Sequence, residues 1–298
     1  MRMIRFAWLF LLLFFLLVFS LTAFATEDKI YPSLWDANDA VLQKNLENII
    51  KQQGLWKVVR NKHLALVLVD ISNLKQPKLA ELNGNQMIYA ASLPKVAILL
   101  AAFVEIERGN LKESAELYEH LTKMIRYSSN QSASYILSLV GGERVLEIIQ
   151  DPEFALYDRQ HNGGLWVGKA YAKGTAFHRD PMYNLSHGAT AIQVARFYYL
   201  LETQQLLNKK NSLRMKQILG KPGINHKFVK GLQAIPGVKI YRKSGSWKNF
   251  HADSALVEYK KYQYILIGLS DSSTGGHWLT TLAKPIHELI TGDRIIVK

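Results

Sequence analysis

Ser92 and Lys95 stand three residues apart at the head of an apolar run, residues 96–104. At helical spacing, positions i and i+3 share one face. Serine is a poor nucleophile until a neighbouring base takes its proton, and a lysine whose pKa is lowered by burial can be that base. The pair therefore suggests acyl transfer. Two further stretches carry matching chemistry. Arg126-Tyr127-Ser128-Ser129-Asn130 sets a hydroxyl and an amide two residues apart, at a junction between helices. Tyr241-Arg242-Lys243-Ser244-Gly245-Ser246-Trp247 carries a cation, a hydroxyl and a glycine on a strand. There Lys243 and Ser244 would hold a carboxylate, and Gly245 would let a substrate lie against the strand edge. The backbone N–H groups of Ser92 and Ser246 would serve a tetrahedral oxyanion.

Those side chains need a scaffold, and the hydrophobic pattern supplies one. The run after Lys95 is apolar all round and ends at Gly109-Asn110, which predicts a helix buried in the domain. Pro94 is tolerated in its first turn, where amides lack intrahelical acceptors. Upstream, a helix is expected from Asp36, with Val41, Leu42, Leu46, Ile49 and Ile50 on one face and Gly54 as its stop. Residues 63–71 and 78–82 read as strands, the second turning at Asn83-Gly84-Asn85. Helices follow over 113–126, 131–140 (ending at Gly141-Gly142) and 143–150. Residues 151–186 are rich in Gly, His, Tyr and Asp without a steady period, and so long a loop in a compact domain is expected to be either functional or disordered. Helices return over 189–202 and 206–219. Strands follow over 238–244, 254–259 and 262–269, then a helix over 277–290 interrupted by Pro285. The order predicts an α+β fold. Residues about 26–90 and 221–298 build an antiparallel five-stranded sheet flanked by N- and C-terminal helices, with an all-helical part, about 91–220, inserted.

S-x-x-K, then S-x-N, then K-[ST]-G, in this order, make the chain resemble the penicillin-recognising serine hydrolases, and among them the class A β-lactamase-like family. Met124-Ile125, Gly141-Gly142 and His187-Gly188-Ala189-Thr190-Ala191 are similar to that family as well. The resemblance implies a β-lactamase/transpeptidase-like fold with its site between the helical part and the sheet. It implies Ser92 as nucleophile and Lys95 as base or proton relay. Ser128 would pass a proton to the leaving nitrogen, Asn130 would hold the substrate's amide, and Lys243 and Ser244 its carboxylate. Two departures stand out. The second motif has Ser129 where class A enzymes usually carry aspartate. The E-x-x-L-N stretch, whose glutamate primes the deacylating water, is missing: Glu153 is the one glutamate in residues 151–186, and the expected place reads His161-Asn162-Gly163-Gly164-Leu165-Trp166-Val167-Gly168-Lys169. Asp158, His161, His178 and Asp180 are the other candidates for a base there. The segment between Lys95 and Ser128 is also shorter than in class A enzymes, which would trim one wall of the cleft.

Composition bounds the rest. Arg2 and Arg5, the apolar run over residues 6–19 and Ala23-Phe24-Ala25 read as a signal peptide over residues 1–25, or alternatively an uncleaved anchor; either way the body, residues 26–298, is exported to the periplasm or beyond. There is no cysteine, so neither a disulfide framework nor a lipidated N-terminus is expected. The formal charge of +13 falls to +11 without Arg2 and Arg5, since residues 1–25 hold no Asp or Glu. Such a charge favours an anionic envelope or acidic ligands. The lysines are scattered and no nucleic-acid motif turns up. The nine histidines show no metal-ligand spacing, so neither metal nor other cofactor is expected. Residues 163–170 miss a phosphate-binding loop, having Ala170 after the lysine and no leading strand. Phe197 to Leu201 reads as core packing. Three functions remain open: an exported β-lactamase working through an acyl-enzyme on Ser92, a D,D-peptidase or other peptidoglycan-acting enzyme, and a penicillin-binding sensor or wall-binding module that acylates without turnover. The ligand would be a small β-lactam or a peptidoglycan stem peptide.

Overall fold

In the computed structural model, which describes residues 31–293, the helices are α1 (Ala40–Gln52), α2 (Trp56–Arg60), α3 (Lys95–Glu107), α4 (Ala115–Arg126), α5 (Asn130–Val140), α6 (Gly142–Gln150), α7 (Ala191–Glu202), α8 (Lys209–Leu219), α9 (Phe228–Leu232) and α10 (Gly275–Thr291). The leader read over residues 1–25 lies outside the described residues. The strands are β1 (Leu64–Asp70), β2 (Lys78–Leu82), β3 (Ile88–Tyr89), β4 (Tyr157–Asp158), β5 (Gly163–Gly164), β6 (Trp166–Val167), β7 (His187–Ala189), β8 (Lys239–Trp247), β9 (Phe250–Tyr259) and β10 (Tyr262–Ser270).

Five of them form one antiparallel sheet in the order β2-β1-β10-β9-β8. Both ends of the chain build it, as the pattern of elements predicts. Residues 64–69 of β1 are all buried because both faces of the sheet are covered. On one face α1 (Leu42, Leu46, Ile50), α9 (Phe228, Leu232) and α10 (Leu279, Leu282, Ile286) share a core with Leu66, Leu68 and Leu266 of the sheet. On the other lies α7, whose Phe197 and Tyr198 are fully buried, with Tyr198 Oη 3.0 Å from Ser254 Oγ on β9. β8 is an edge strand, so its outer side is free to meet the helical part.

Several boundaries depart from the pattern-based expectation. The first long helix starts at Ala40, not Asp36, because Asp39 is extended and its carboxylate accepts the Leu42 amide at 2.7 Å. Val41 consequently points outward and is 70% exposed. Helix α3 starts at Lys95, with Pro94 as its cap. Ser92 therefore precedes the helix, in a tight turn closed by Leu93 N–H to Ala90 O and Val96 N–H to Leu93 O. Pro285 does not interrupt α10, which runs through it. Burial of Leu279, Leu282, Ile286 and Ile290 offsets the roughly 3 kcal/mol that an interior proline costs.

Candidate active site

Three distant fragments meet at the Ser92 turn. Gly245 of β8 lies on it so closely that an added Cβ would stand 2.1 Å from Ala90 O, 2.8 Å from Ser92 N and 2.9 Å from Leu93 N. This corrects the reason inferred for that glycine. The absent side chain makes room for the backbone that carries Ser92, before any substrate arrives. Behind Ser92, the fully buried Lys95 donates to Ser128 O at 2.8 Å and to Asn130 Oδ1 at 2.7 Å. Lys243, also buried, donates to Ser128 Oγ at 2.9 Å and to Ser244 O at 2.6 Å. Ser128 is thus held by one amine at its carbonyl and by another at its hydroxyl. Ser92, Asn130 and Ser246 line a cavity of about 820 Å³.

Local sequence explains how these groups are presented. Ser129 caps α5 by accepting the Ser132 amide at 3.1 Å, which puts Asn130 in the first turn. Arg126 anchors the junction by donating to Gln217 O at 2.7 Å. Ala91 and Ser128, which flank the reacting groups, carry positive φ at 49° and 58°. Each costs an L-residue about 1–2 kcal/mol, strain that the surrounding packing sustains.

Burial sets the electrostatics. Desolvation pulls the Lys95 pKa down to about 7. The Lys243 amine falls well below the usual lysine range through burial, then through repulsion from Lys95 and Arg242. For Lys95 such depression suits a general base, since an amine protonated at neutral pH cannot accept a proton.

Other residues at the site were not foreseen. Lys227, buried with a φ of 51°, donates to Gly245 O at 2.6 Å, Ser246 Oγ at 2.9 Å and Ala252 O at 2.9 Å, clamping β8 and β9 from behind. Burial lowers its pKa to about 8. His226 Nε2 lies 3.0 Å from Ser244 Oγ. Burial first, then Arg242 and Lys227, brings its pKa to about 4, so it is neutral. One residue before the lysine of the third motif, Arg242 forms a buried pair with Asp253 at 2.7 Å. No motif marks Lys227, which is one among 37 lysines and arginines.

The irregular loop reaches the site by strand pairing. β7 lies between β3 and β6, with Gly188 opposite Tyr89 and His187 opposite Val167. Residues 169–173 and 185–187 then line the cavity beside Ser92. Tyr171 sets its ring 4.4 Å from the Lys95 amine and donates to Ala91 O at 3.3 Å. His187 packs against that ring at 4.4 Å and donates from Nε2 to Lys169 O at 3.0 Å. Mainly through burial its pKa drops to about 4.

Neither Glu153 nor any of the four other candidate bases lines the cavity. Asp180 is buried under the Tyr157 hydroxyl and accepts the Tyr183 amide at 2.5 Å. Asp158 pairs with His161 at 2.7 Å, and His178 with Glu143 at 3.2 Å. These are loop-stabilising contacts. Among the described residues, no Asp or Glu lines the cavity at all.

With the geometry in place, the chain can be set beside known proteins. A model of the family described as "Beta-lactamase enzyme family" matches residues 112–290. That span holds Ser128, Asn130 and Lys243 and begins after Ser92 and Lys95. No curated protein matches the sequence. Among solved structures, PBP-A is similar at 15% identity and a TM-score of 0.65, over 89% of this chain and 100% of that one. A β-lactamase from Sphaerobacter thermophilus is similar at 12% identity and a TM-score of 0.66, over 84% and 98%. A PBP-A variant determined as an acyl-enzyme complex with penicillin G gives 17% identity and a TM-score of 0.63, over 86% and 98%. At such identities the likeness is one of fold.

Proposed function

This chain belongs to the β-lactamase enzyme family, and from that membership we propose that it is an exported serine hydrolase that opens a β-lactam amide by forming an acyl-enzyme on Ser92. The observation that carries the reading is the meeting of three motifs at one turn: Gly245 against Ser92 N, Lys95 on Asn130, and Lys243 on Ser128 Oγ. In the proposed reaction the neutral Lys95 amine takes the Ser92 hydroxyl proton as Oγ attacks the carbonyl carbon. The N–H groups of Ser92 and Ser246 hold the oxyanion. The C–N bond breaks as Ser128 gives its proton to the leaving nitrogen; the proton taken up by Lys95 then passes to Ser128, and an ester remains on Ser92. Lys243 and Ser244 bind the substrate's carboxylate, and Asn130 its amide. The PBP-A variant bound to penicillin G as an acyl-enzyme supports a β-lactam as ligand.

Hydrolysis of the ester needs a base beside a water molecule. Among the described residues no carboxylate lines the cavity, and the Tyr171 ring covers Lys95. The ester should therefore be long-lived, which favours a second reading on the same site, a D,D-peptidase acting on peptidoglycan stem peptides. A fluorescent penicillin and nitrocefin test both. We expect one label per chain and a stoichiometric nitrocefin burst with little turnover afterwards. The Ser92→Ala variant should take no label, and undiminished labelling would discard the nucleophile. Sustained nitrocefin turnover would refute the long-lived ester. Release of D-alanine from a pentapeptide would select the peptidase.

A further inference from the structure

The cavity carries a second group of cations that the proposed reaction leaves unused. Lys169 and Lys173 line it from the loop, and Lys248 lines it from the turn between β8 and β9. Among the described residues the lysines paired with carboxylates are Lys51, Lys123, Lys210, Lys216, Lys260 and Lys284, all outside this cavity. Lys173 and Lys248 are exposed to solvent. Lys95 and Lys243 are buried and hydrogen-bonded to Ser128 and Asn130, so Lys169, Lys173 and Lys248 are the lysines that line the cavity itself. Trp247, 57% exposed, and Phe250 line the same cavity and offer flat apolar surfaces to an acyl chain.

Strand order gives this charge a direction. Along β8, Lys243 and Ser244 come before Gly245, the Ser246 amide comes next, and Trp247 and Lys248 follow. Lys243 and Trp247 are four residues apart, about 13 Å at ~3.3 Å per residue. With the scissile carbonyl at Ser246 and the leaving-group carboxylate at Lys243 and Ser244, the acyl side of the substrate runs toward Trp247 and Lys248. Resting on the acyl-enzyme reading above, we propose that Lys169, Lys173 and Lys248 form a subsite for a carboxylate on the acyl side of the scissile bond. The preferred substrate is then an acyl donor with two anionic groups, one on the leaving residue and one on the acyl segment, as in a branched peptide that keeps a free side-chain carboxylate.

Two penicillins differing by one side-chain carboxylate, phenylacetamido and α-carboxyphenylacetamido, provide the test. Acylation is measured on the wild-type chain and equilibrium binding on Ser92→Ala. The carboxylated compound should be favoured about tenfold at low salt, with the preference shrinking as salt is added. Lys169→Ala/Lys173→Ala/Lys248→Ala should abolish the preference and leave the neutral penicillin's rate and affinity unchanged. Should that triple variant fail to fold, Lys248→Gln, at an exposed turn, should still cut the preference about threefold. Equal behaviour of the two compounds with the wild-type chain, or a preference that survives the substitutions, overturns the subsite. Failure of wild type to acylate at all would sink the underlying reading instead, while the binding comparison on Ser92→Ala would still decide this one.

Discussion

Lys95 has lost its water without gaining a carboxylate. Its partners are two carbonyl-type oxygens and the face of Tyr171, and burial alone draws its pKa to about 7. Lys216 shows the opposite balance. Burial lowers its pKa too, but Glu202 and Glu258, each at 2.7 Å, outweigh that and raise it. The difference makes one amine a candidate base and the other a structural tie. Below its pKa the neutral fraction of Lys95 falls tenfold per pH unit, so acylation of Ser92 should rise with pH and level off near 7. Labelling rates between pH 5 and 8 check this, and a flat profile would remove Lys95 from the role of base. Tyr171 and His187 could not be found by type alone. A tyrosine in an aperiodic loop carries no sign of the cavity it enters, and His187, although it heads a stretch similar to the family, carries no sign of its contact with that ring.

Among the elements, β8 decides the site. It is an edge strand held from behind by the Lys227 amine and by the buried Arg242–Asp253 pair, and pressed in front against the Ser92 turn. Gly245→Ala would drive a Cβ into Ala90 O and the amides of Ser92 and Leu93, all backbone atoms with no rotamer to yield. We expect a loss of about 1–3 kcal/mol in stability. Acylation should slow on the order of 100-fold, because a displacement near 1 Å suffices for that. Thermal melts and labelling kinetics of the variant measure the two effects. Wild-type kinetics would mean that the strand can shift without cost to the site. The sequence marks this glycine clearly but not its reason, since the clash is with a turn more than 150 residues away in the chain.

For the whole molecule, the buried amines and imidazoles tie stability to pH in one direction. Lys95, Lys227 and Lys243 have folded-state pKa values below those of the unfolded chain, as do His187 and His226. Where the unfolded chain binds more protons, stability increases with pH. The histidines contribute this between about pH 4 and 6.5, and Lys95 and Lys227 from about 7 and about 8 upward to the ordinary lysine pKa near 10.5. Tm should therefore climb from pH 5 to 7 and by several further degrees from 7 to 9.5, at about 2–4 °C per kcal/mol. Lys227→Met should flatten the upper part of that curve in calorimetry. A Tm that falls above pH 7 would contradict the burden placed on these amines. The sequence by itself determined the five strands, the buried helix behind Lys95 and the types of residue at the site, because hydrophobic period and motif spacing are properties of neighbouring residues. Only the tertiary structure decided that an aromatic ring rather than an acid covers Lys95, that Lys227 clamps β8, and that Gly245 serves the Ser92 turn. Those facts depend on strand pairing and close approach between segments far apart in the chain, which no local pattern encodes.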